Sequence, residues 1–254
     1  MKITGYSVEP LNLDLPVALT VAYGSYPVLE YALIQLHTDE GLTGLGEASP
    51  DPEVTGETQE VVLTALNKML PKLVGADPFT IASIIDECFQ EIGHAPAAIA
   101  AIDSALYDLI GKKLGVPVYQ LLGGKSRSHM TLYPVIPMED PQVMAGMAAQ
   151  YAGLGATRFK LKLGSDPAMD YERLKLVSAA VGLDAVLRLD INQGWHDADT
   201  AIKAMVRAGL GFAVVPEGCV QGFELETTYI DDLKISRSVR LLSRTQGTSL
   251  ATQR

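Results

Sequence analysis

The chain has 254 residues, 48% of them hydrophobic and 20% charged, with a net charge of −10. Those figures predict one large domain, or one with a smaller companion, and a core of useful size. The acidic balance argues against sequence-independent binding to nucleic acid or anionic lipid, since both need clustered Lys and Arg.

No run approaches the roughly 18 apolar residues of a membrane span, and Met1–Pro10 lacks the pattern of a signal peptide. Cys88 and Cys219 lie far apart and imply no disulfide framework, which suits a reducing cytoplasm. Cys88 falls in an apolar helix-like run and is expected as a small buried hydrophobe.

The first 50 residues read as strands. Ile3–Val8 is short and mixed, Leu29–His37 is a strong strand, and Thr38–Gly41 is a turn into a hairpin partner over Leu42–Ala48. Asp14–Pro27, rich in Pro, Gly and Tyr, is expected as a loop. Helical periodicity follows over Thr58–Leu70, and Asp77-Pro78 is placed to start another helix with Pro78 in its first position. Ala95-Pro96 opens the longest helix, with Ile99, Ile102, Leu106, Leu109 and Ile110 on one stripe, and Gly115 then Pro117 close it. Strands followed by helices make an α+β pattern.

From Met130 strands and helices alternate. Strands are expected over 131–136, 157–163, 185–191 and 212–215, with helices over 141–152, 168–181 and 198–208. This spacing predicts βαβ units and a parallel sheet, either a half barrel or a small open sheet.

In Phe159-Lys160-Leu161-Lys162-Leu163 both lysines share one strand face and the apolar residues the other. In a barrel the helices cover the apolar face, so the lysines point inward toward the C-terminal mouth, where such enzymes keep their chemistry. The competing explanation is an edge strand guarded by lysines. One unit later Arg188, Asp190 and Asn192 alternate with Leu187, Leu189 and Ile191. An aspartate at the end of a barrel strand is well placed for a hard cation such as Mg²⁺, or it caps the following loop.

Two neighbouring strands with interior polar residues at matching depth favour function over either structural explanation. These types suit removal of a proton from carbon beside a carboxylate: a cation stabilises the enediolate while an amine takes the proton. A second ammonium two residues away, with the metal, would push a lysine toward the neutral form.

Other candidates are weaker. Gly41–Gly46 lacks the strand-to-helix context of a phosphate loop, and His37, His94, His129 and His196 share no spacing. Trp195 is expected to pack at a strand–helix turn; Tyr23 and Tyr26 lie in the early loop within reach of a substrate.

Together these residues resemble the muconate-lactonizing branch of the enolase superfamily, in its mandelate racemase/muconate lactonizing enzyme family. The likeness runs from about residue 1 to 213 and is most specific over Ala100–Pro117, continuing through Leu121-Leu122-Gly123-Gly124. The resemblance implies an α+β capping domain over 1–124, then a partial (β/α) barrel of TIM-barrel type over 125–215, about four of eight units. It also implies Lys162 as the acid/base lysine, Lys160 as its electrostatic partner, and Asp190 as the first of three carboxylate ligands to Mg²⁺. Asn192, Tyr26 and Thr55 are the implied substrate-binding residues.

Val54-Thr55-Gly56-Glu57-Thr58 is similar to the second capping loop of dipeptide epimerases. That loop, with Leu19–Pro27, would close over the substrate. The function implied is racemisation or epimerisation at the α-carbon of a small carboxylate substrate, dipeptides first. Cycloisomerisation of the muconate or o-succinylbenzoate type and a non-catalytic remnant are the alternatives.

The sequence departs from the family over 216–254. The family's fourth strand ends Glu-x-Pro, whereas here Pro216 precedes Glu217, and Leu242–Gly247 stands where an Asp ligand is expected. An eight-unit barrel takes about 250 residues, and about half that number follows residue 130. The expectation is a truncated or frame-disturbed barrel, whose open sheet edge invites self-association.

Overall fold

A computed structural model describes residues 1–182, 184–192 and 194, and the backbone pairing of three further strands within 213–243. It divides into two compact units, one of Met1–Ala18 with Tyr26–Met130, the other of Leu19–Ser25 with Thr131–Arg254.

The first unit is a three-stranded sheet with helices. β1 (Ile3–Val21), β2 (Gly24–Thr38) and β3 (Thr43–Ala48) pair in that order. β2 and β3 run antiparallel, with Ala32 opposite Ala48 and His37 opposite Thr43. Ala32, Ile34 and Leu36 alternate inward and are fully buried, as the two-residue period of the strand requires.

The loop expected over Asp14–Pro27 is corrected. β1 runs on to Val21 and β2 begins at Gly24, so only Ala22 and Tyr23 form the turn. The ladder between the strands supplies hydrogen-bond partners that the Pro and Gly content of the segment did not announce.

α1 (Gln59–Met69) starts at Thr58, whose side chain accepts from the Val61 N–H, and a 3₁₀ turn over Leu70–Leu73 follows it. α2 (Ile81–Ile92) begins later than Pro78, because Asp77 first closes its own turn. Its carboxylate accepts from Phe79 N–H, and its carbonyl from Thr80 Oγ1. α3 (Pro96–Leu114) ends at Gly115, left-handed at φ 68°, and α4 (Val118–Leu121) is a single turn after Pro117. Cys88 is fully buried in this core, and burial pushes its thiol up to about 11.

α3 packs directly on β3, and two glycines make this possible. A Cβ on Gly46 would lie 2.0 Å from the Ala101 carbonyl oxygen, and one on Gly44 2.3 Å from that of Ala105. Asp108 of α3 accepts the Leu45 N–H at 2.8 Å across the same contact. The start of α3 is held by Glu57, a buried carboxylate whose oxygens accept the Ala97 N–H at 3.0 and 3.2 Å. A helix N-terminus favours that negative charge.

The second unit opens with β4 (Val135–Ile136), α5 (Pro141–Gly153), β5 (Arg158–Lys162), α6 (Pro167–Val181) and β6 (Val186–Asp190). The strands form one parallel sheet in the order β4-β5-β6, as the alternation predicts. α6 starts at Asp166, which accepts the Met169 N–H at 2.9 Å, with Pro167 in the first position. Phe159, Leu161 and Leu163 are fully buried with Met144 and Ala148 of α5 and Leu174 and Val177 of α6.

Only the last two residues of the strand expected over 131–136 pair as β4. The strand expected over 212–215 forms as β7 (Ala213–Pro216), but its expected place as a fourth parallel strand is corrected. It ladders antiparallel with β9 (Val239–Ser243), which also pairs with β8 (Glu226–Tyr229), in a sheet separate from β4-β5-β6. The helix expected over 198–208, and Trp195, His196, Glu217 and Cys219, lie outside the described residues. The architecture is an α+β capping domain followed by a partial (β/α) barrel.

Candidate active site

With Phe159, Leu161 and Leu163 buried under α5 and α6, strand alternation places Lys160 and Lys162 on the opposite face of β5. The parallel register sets Arg188 beside Lys160, and Asp190 beside Lys162. Of the polar residues expected on this face, Lys160, Lys162, Asp190 and Asn192 come together. Lys160 Nζ lies 2.7 Å and Lys162 Nζ 2.9 Å from the same Asp190 oxygen, Oδ2. Lys162 Nζ also donates to Asn192 Oδ1 at 2.8 Å. An edge strand guarded by solvated lysines would leave both ammonium groups in water, whereas the Lys162 side chain is only 12% exposed.

Burial alone would raise the Asp190 carboxyl, but the hydrogen bonds from Lys160 and Lys162 outweigh it and hold the group down at about 2. Asp190 Oδ1 accepts the Asn192 N–H at 3.2 Å. This contact goes with a backbone of φ 44° at Asn192, a left-handed conformation that asparagine tolerates better than most residues. The bend turns the Asn192 amide back toward Lys162.

The ends of β5 and β6 are packed backbone on backbone. Gly164 has φ +113°, and a Cβ there would meet the Ile191 carbonyl at 2.3 Å and the Ala22 Cβ at 2.9 Å. A Cβ on Gly194 would meet the Gly164 carbonyl at 2.0 Å and the Ala22 Cβ at 2.6 Å. The tip of the β1–β2 hairpin is therefore seated on the turns that follow the lysine and aspartate strands. Met138 N–H donates to the Thr20 carbonyl at 2.9 Å and fixes the tip to the turn after β4.

Tyr26 lies half-buried on β2, and Thr55 closes a turn on Asp51, accepting its N–H at 3.1 Å and donating to its carbonyl at 3.0 Å. Both belong to the first unit, whereas the lysine–aspartate cluster is built from the second.

Two features were not singled out from sequence. Asp170 and Arg173 are buried and paired at 2.6 Å beside the turn after β5. Their i, i+3 spacing in the first turns of α6 was the available signal. Farther down the sheet Arg188 stacks at 4.5 Å over the Tyr133 ring, whose hydroxyl accepts from Arg158 Nη1 at 2.8 Å.

For a divalent cation the described residues offer one carboxylate, Asp190, with both oxygens engaged. Among the described residues no group of three or more His, Cys, Asp or Glu is placed to hold a metal ion. A hard cation takes six or more oxygen ligands. The donors present among the described residues do not make such a site by themselves.

Two family models match the chain: the N-terminal domain of mandelate racemase/muconate lactonizing enzyme over residues 3–123, and the enolase C-terminal domain-like model over 143–220. The chain belongs to the mandelate racemase/muconate lactonizing enzyme family.

Among its relatives is the N-succinyl-L-Arg/Lys racemase of Bacillus cereus, 37% identical over 210 residues, which cover 82% of this chain and 57% of the relative. The hydrophobic dipeptide epimerase of Enterococcus faecalis is 38% identical over 205 residues, covering 81% of this chain and 57% of the relative. A crystal structure of the dipeptide epimerase from that organism, complexed with Mg and the dipeptide L-Leu-L-Tyr, superposes with a TM-score of 0.77 at 37% identity. That match covers 81% of this chain and 58% of the other. The chain thus spans about three-fifths of the length of these family members.

Proposed function

We propose that the chain carries the proton-transfer half of a racemase or epimerase acting at the α-carbon of a small carboxylate substrate, with dipeptides the first candidates. The observation that supports this most is the pair of strand-end lysines gathered on Asp190 and Asn192. Two ammonium groups against one carboxylate leave the cluster net cationic, which suits a site where a carboxylate substrate gains negative charge, and the relatives above are a racemase and an epimerase.

In this reading Lys162 takes or returns the α-proton, and Lys160 keeps the region cationic where substrate charge develops. Asn192, beside Lys162, holds the substrate. Mg²⁺ would supply Lewis-acid stabilisation of the enediolate, with Asp190 as one ligand. It requires further oxygen donors beyond those of the described residues. No helix among the described residues is long and apolar enough to cross a membrane.

A second reading has a specific observation behind it. That the described residues bring a single carboxylate to the lysines supports a non-catalytic member of the family that keeps them as a structural ion cluster. Deuterium incorporation at the α-carbon of Ala-Glu-type and hydrophobic dipeptides, in D₂O with and without Mg²⁺, separates the two. Exchange that disappears in Lys162→Ala is expected. A folded wild-type chain that exchanges no dipeptide in the set, with or without Mg²⁺, would establish the second reading.

A further inference from the structure

Asp170 is fully buried on α6, yet its hydrogen bonds reach back to the end of β5. Its Oδ2 accepts the N–H of Gly164 at 2.8 Å and that of Ser165 at 3.1 Å. Its Oδ1 accepts from Arg173 Nη1 at 2.6 Å and from Ser165 Oγ at 3.3 Å. Arg173 then donates through Nε to the Glu139 carbonyl at 2.7 Å, in the turn after β4. One carboxylate–guanidinium pair thus joins the turns after two adjacent strands to the first turns of α6.

The turn it holds begins two residues after Lys162 and is the one whose Gly164 backbone packs on Ile191, the residue between Asp190 and Asn192. Leu163 N–H donates to the Asp190 carbonyl at 3.0 Å and closes the same ring of contacts. A displaced Gly164 would therefore move both ends of the lysine–aspartate cluster at once.

We propose that Asp170, braced by Arg173, is a positioning residue that sets the approach of Lys162 to Asp190 and Asn192. The catalytic part of this inference rests on Lys162 being the proton-transferring residue; the positional part stands on the hydrogen bonds alone. A plain helix-capping role would stabilise α6 without reaching Lys162. The two N–H donors that Oδ2 accepts belong instead to the strand-end turn, and the buried guanidinium spans two turns.

Asp170→Asn is the informative change. Gly164 N–H, Ser165 N–H and Arg173 Nη1 are all donors, so the amide NH₂ must face at least one of them whichever way it is set. The side-chain ammonium resonance of Lys162 in nitrogen-labelled protein reads its contacts with Asp190 and Asn192 directly, and α-proton exchange reads its chemistry. The expected result is a displaced Lys162 resonance and a kcat lower by about 100-fold with KM little changed, the size of effect that roughly 1 Å of misplacement produces.

Arg173→Lys keeps the charge but not the planar fork, and is expected to shift the same resonance in the same direction by less. It serves in place of Asp170→Asn if that variant does not fold. A Lys162 resonance unchanged in the folded variant, with amide protection lost only at Gly164 and Ser165, would overturn the proposal and leave Asp170 a local brace. A wild-type chain that exchanges no dipeptide overturns the proposed function instead, and the Lys162 resonance still decides the positioning.

Discussion

Replacing Asp190 with asparagine removes the charge that two ammonium groups share. Lys160 Nζ and Lys162 Nζ sit 2.7 and 2.9 Å from one oxygen. By the triangle inequality they are at most about 5.6 Å apart, where two unit charges repel by about 3 kcal/mol at an effective dielectric constant near 20 and by about 0.7 kcal/mol in water. The side chains are 31% and 12% exposed, between those regimes. Asp190→Asn should therefore lower stability by about 1–3 kcal/mol, above an exposed ion pair and below a fully buried one.

The repulsion is specific to the pair of lysines. Adding Lys160→Met to Asp190→Asn should restore about 1 kcal/mol, although Lys160→Met in the wild-type background removes an attraction. Urea unfolding followed by circular dichroism, with slopes checked for constancy, measures all four members of the cycle. If Lys160→Met destabilises the Asp190→Asn protein further, the two ammonium groups do not repel as argued and the charge cluster is misread.

Acid should reveal the same cluster. Asp190 titrates at about 2 in the folded chain against 3.8 ordinarily, so its contribution is present above pH ~4 and is lost as pH falls toward 2. Discounted for partial exposure, the loss is about 1 kcal/mol, measurable as the difference between wild type and Asp190→Asn in unfolding across that window. Gly46→Ala should destabilise the first unit by about 3 kcal/mol, the upper end for overpacking, because the added carbon meets a helix carbonyl that cannot swing aside. Thermal unfolding within about 0.5 kcal/mol of wild type would mean that β3 can lift off α3 at little cost.

Much of the architecture is legible in the sequence because period and punctuation agree there. Thr58, Pro96, Gly115, Pro141 and Pro167 bracket the helices, and the alternation around Lys160 and Asp190 fixes which side chains share a face. The hairpin over residues 14–27 is not legible: its strands are held by a backbone ladder, which Pro, Gly and Tyr content does not encode. Pro78 misleads for a different reason, since the side chain of Asp77 captures the next N–H and delays the helix.

At the site, the meeting of Lys160, Lys162, Asp190 and Asn192 follows from register, which adjacent strands of matched pattern imply. The Asp170–Arg173 brace does not follow, because its partners are backbone groups of turns and those carry no residue signature.

The seat of Ala22 against Gly164 and Gly194 has a kinetic consequence. The contact joins residues on the order of 140 positions apart, so it raises contact order far above that of the local β4–α5–β5 hairpinless repeat around it. A ribosome releases residue 22 long before residue 164 exists, and the tip must wait unpaired on its own hairpin until β5 and β6 have formed. Refolding should therefore show the helices and the parallel strands in place before the tip docks. Enlarging Ala22 should slow that last step more than it slows the steps before it.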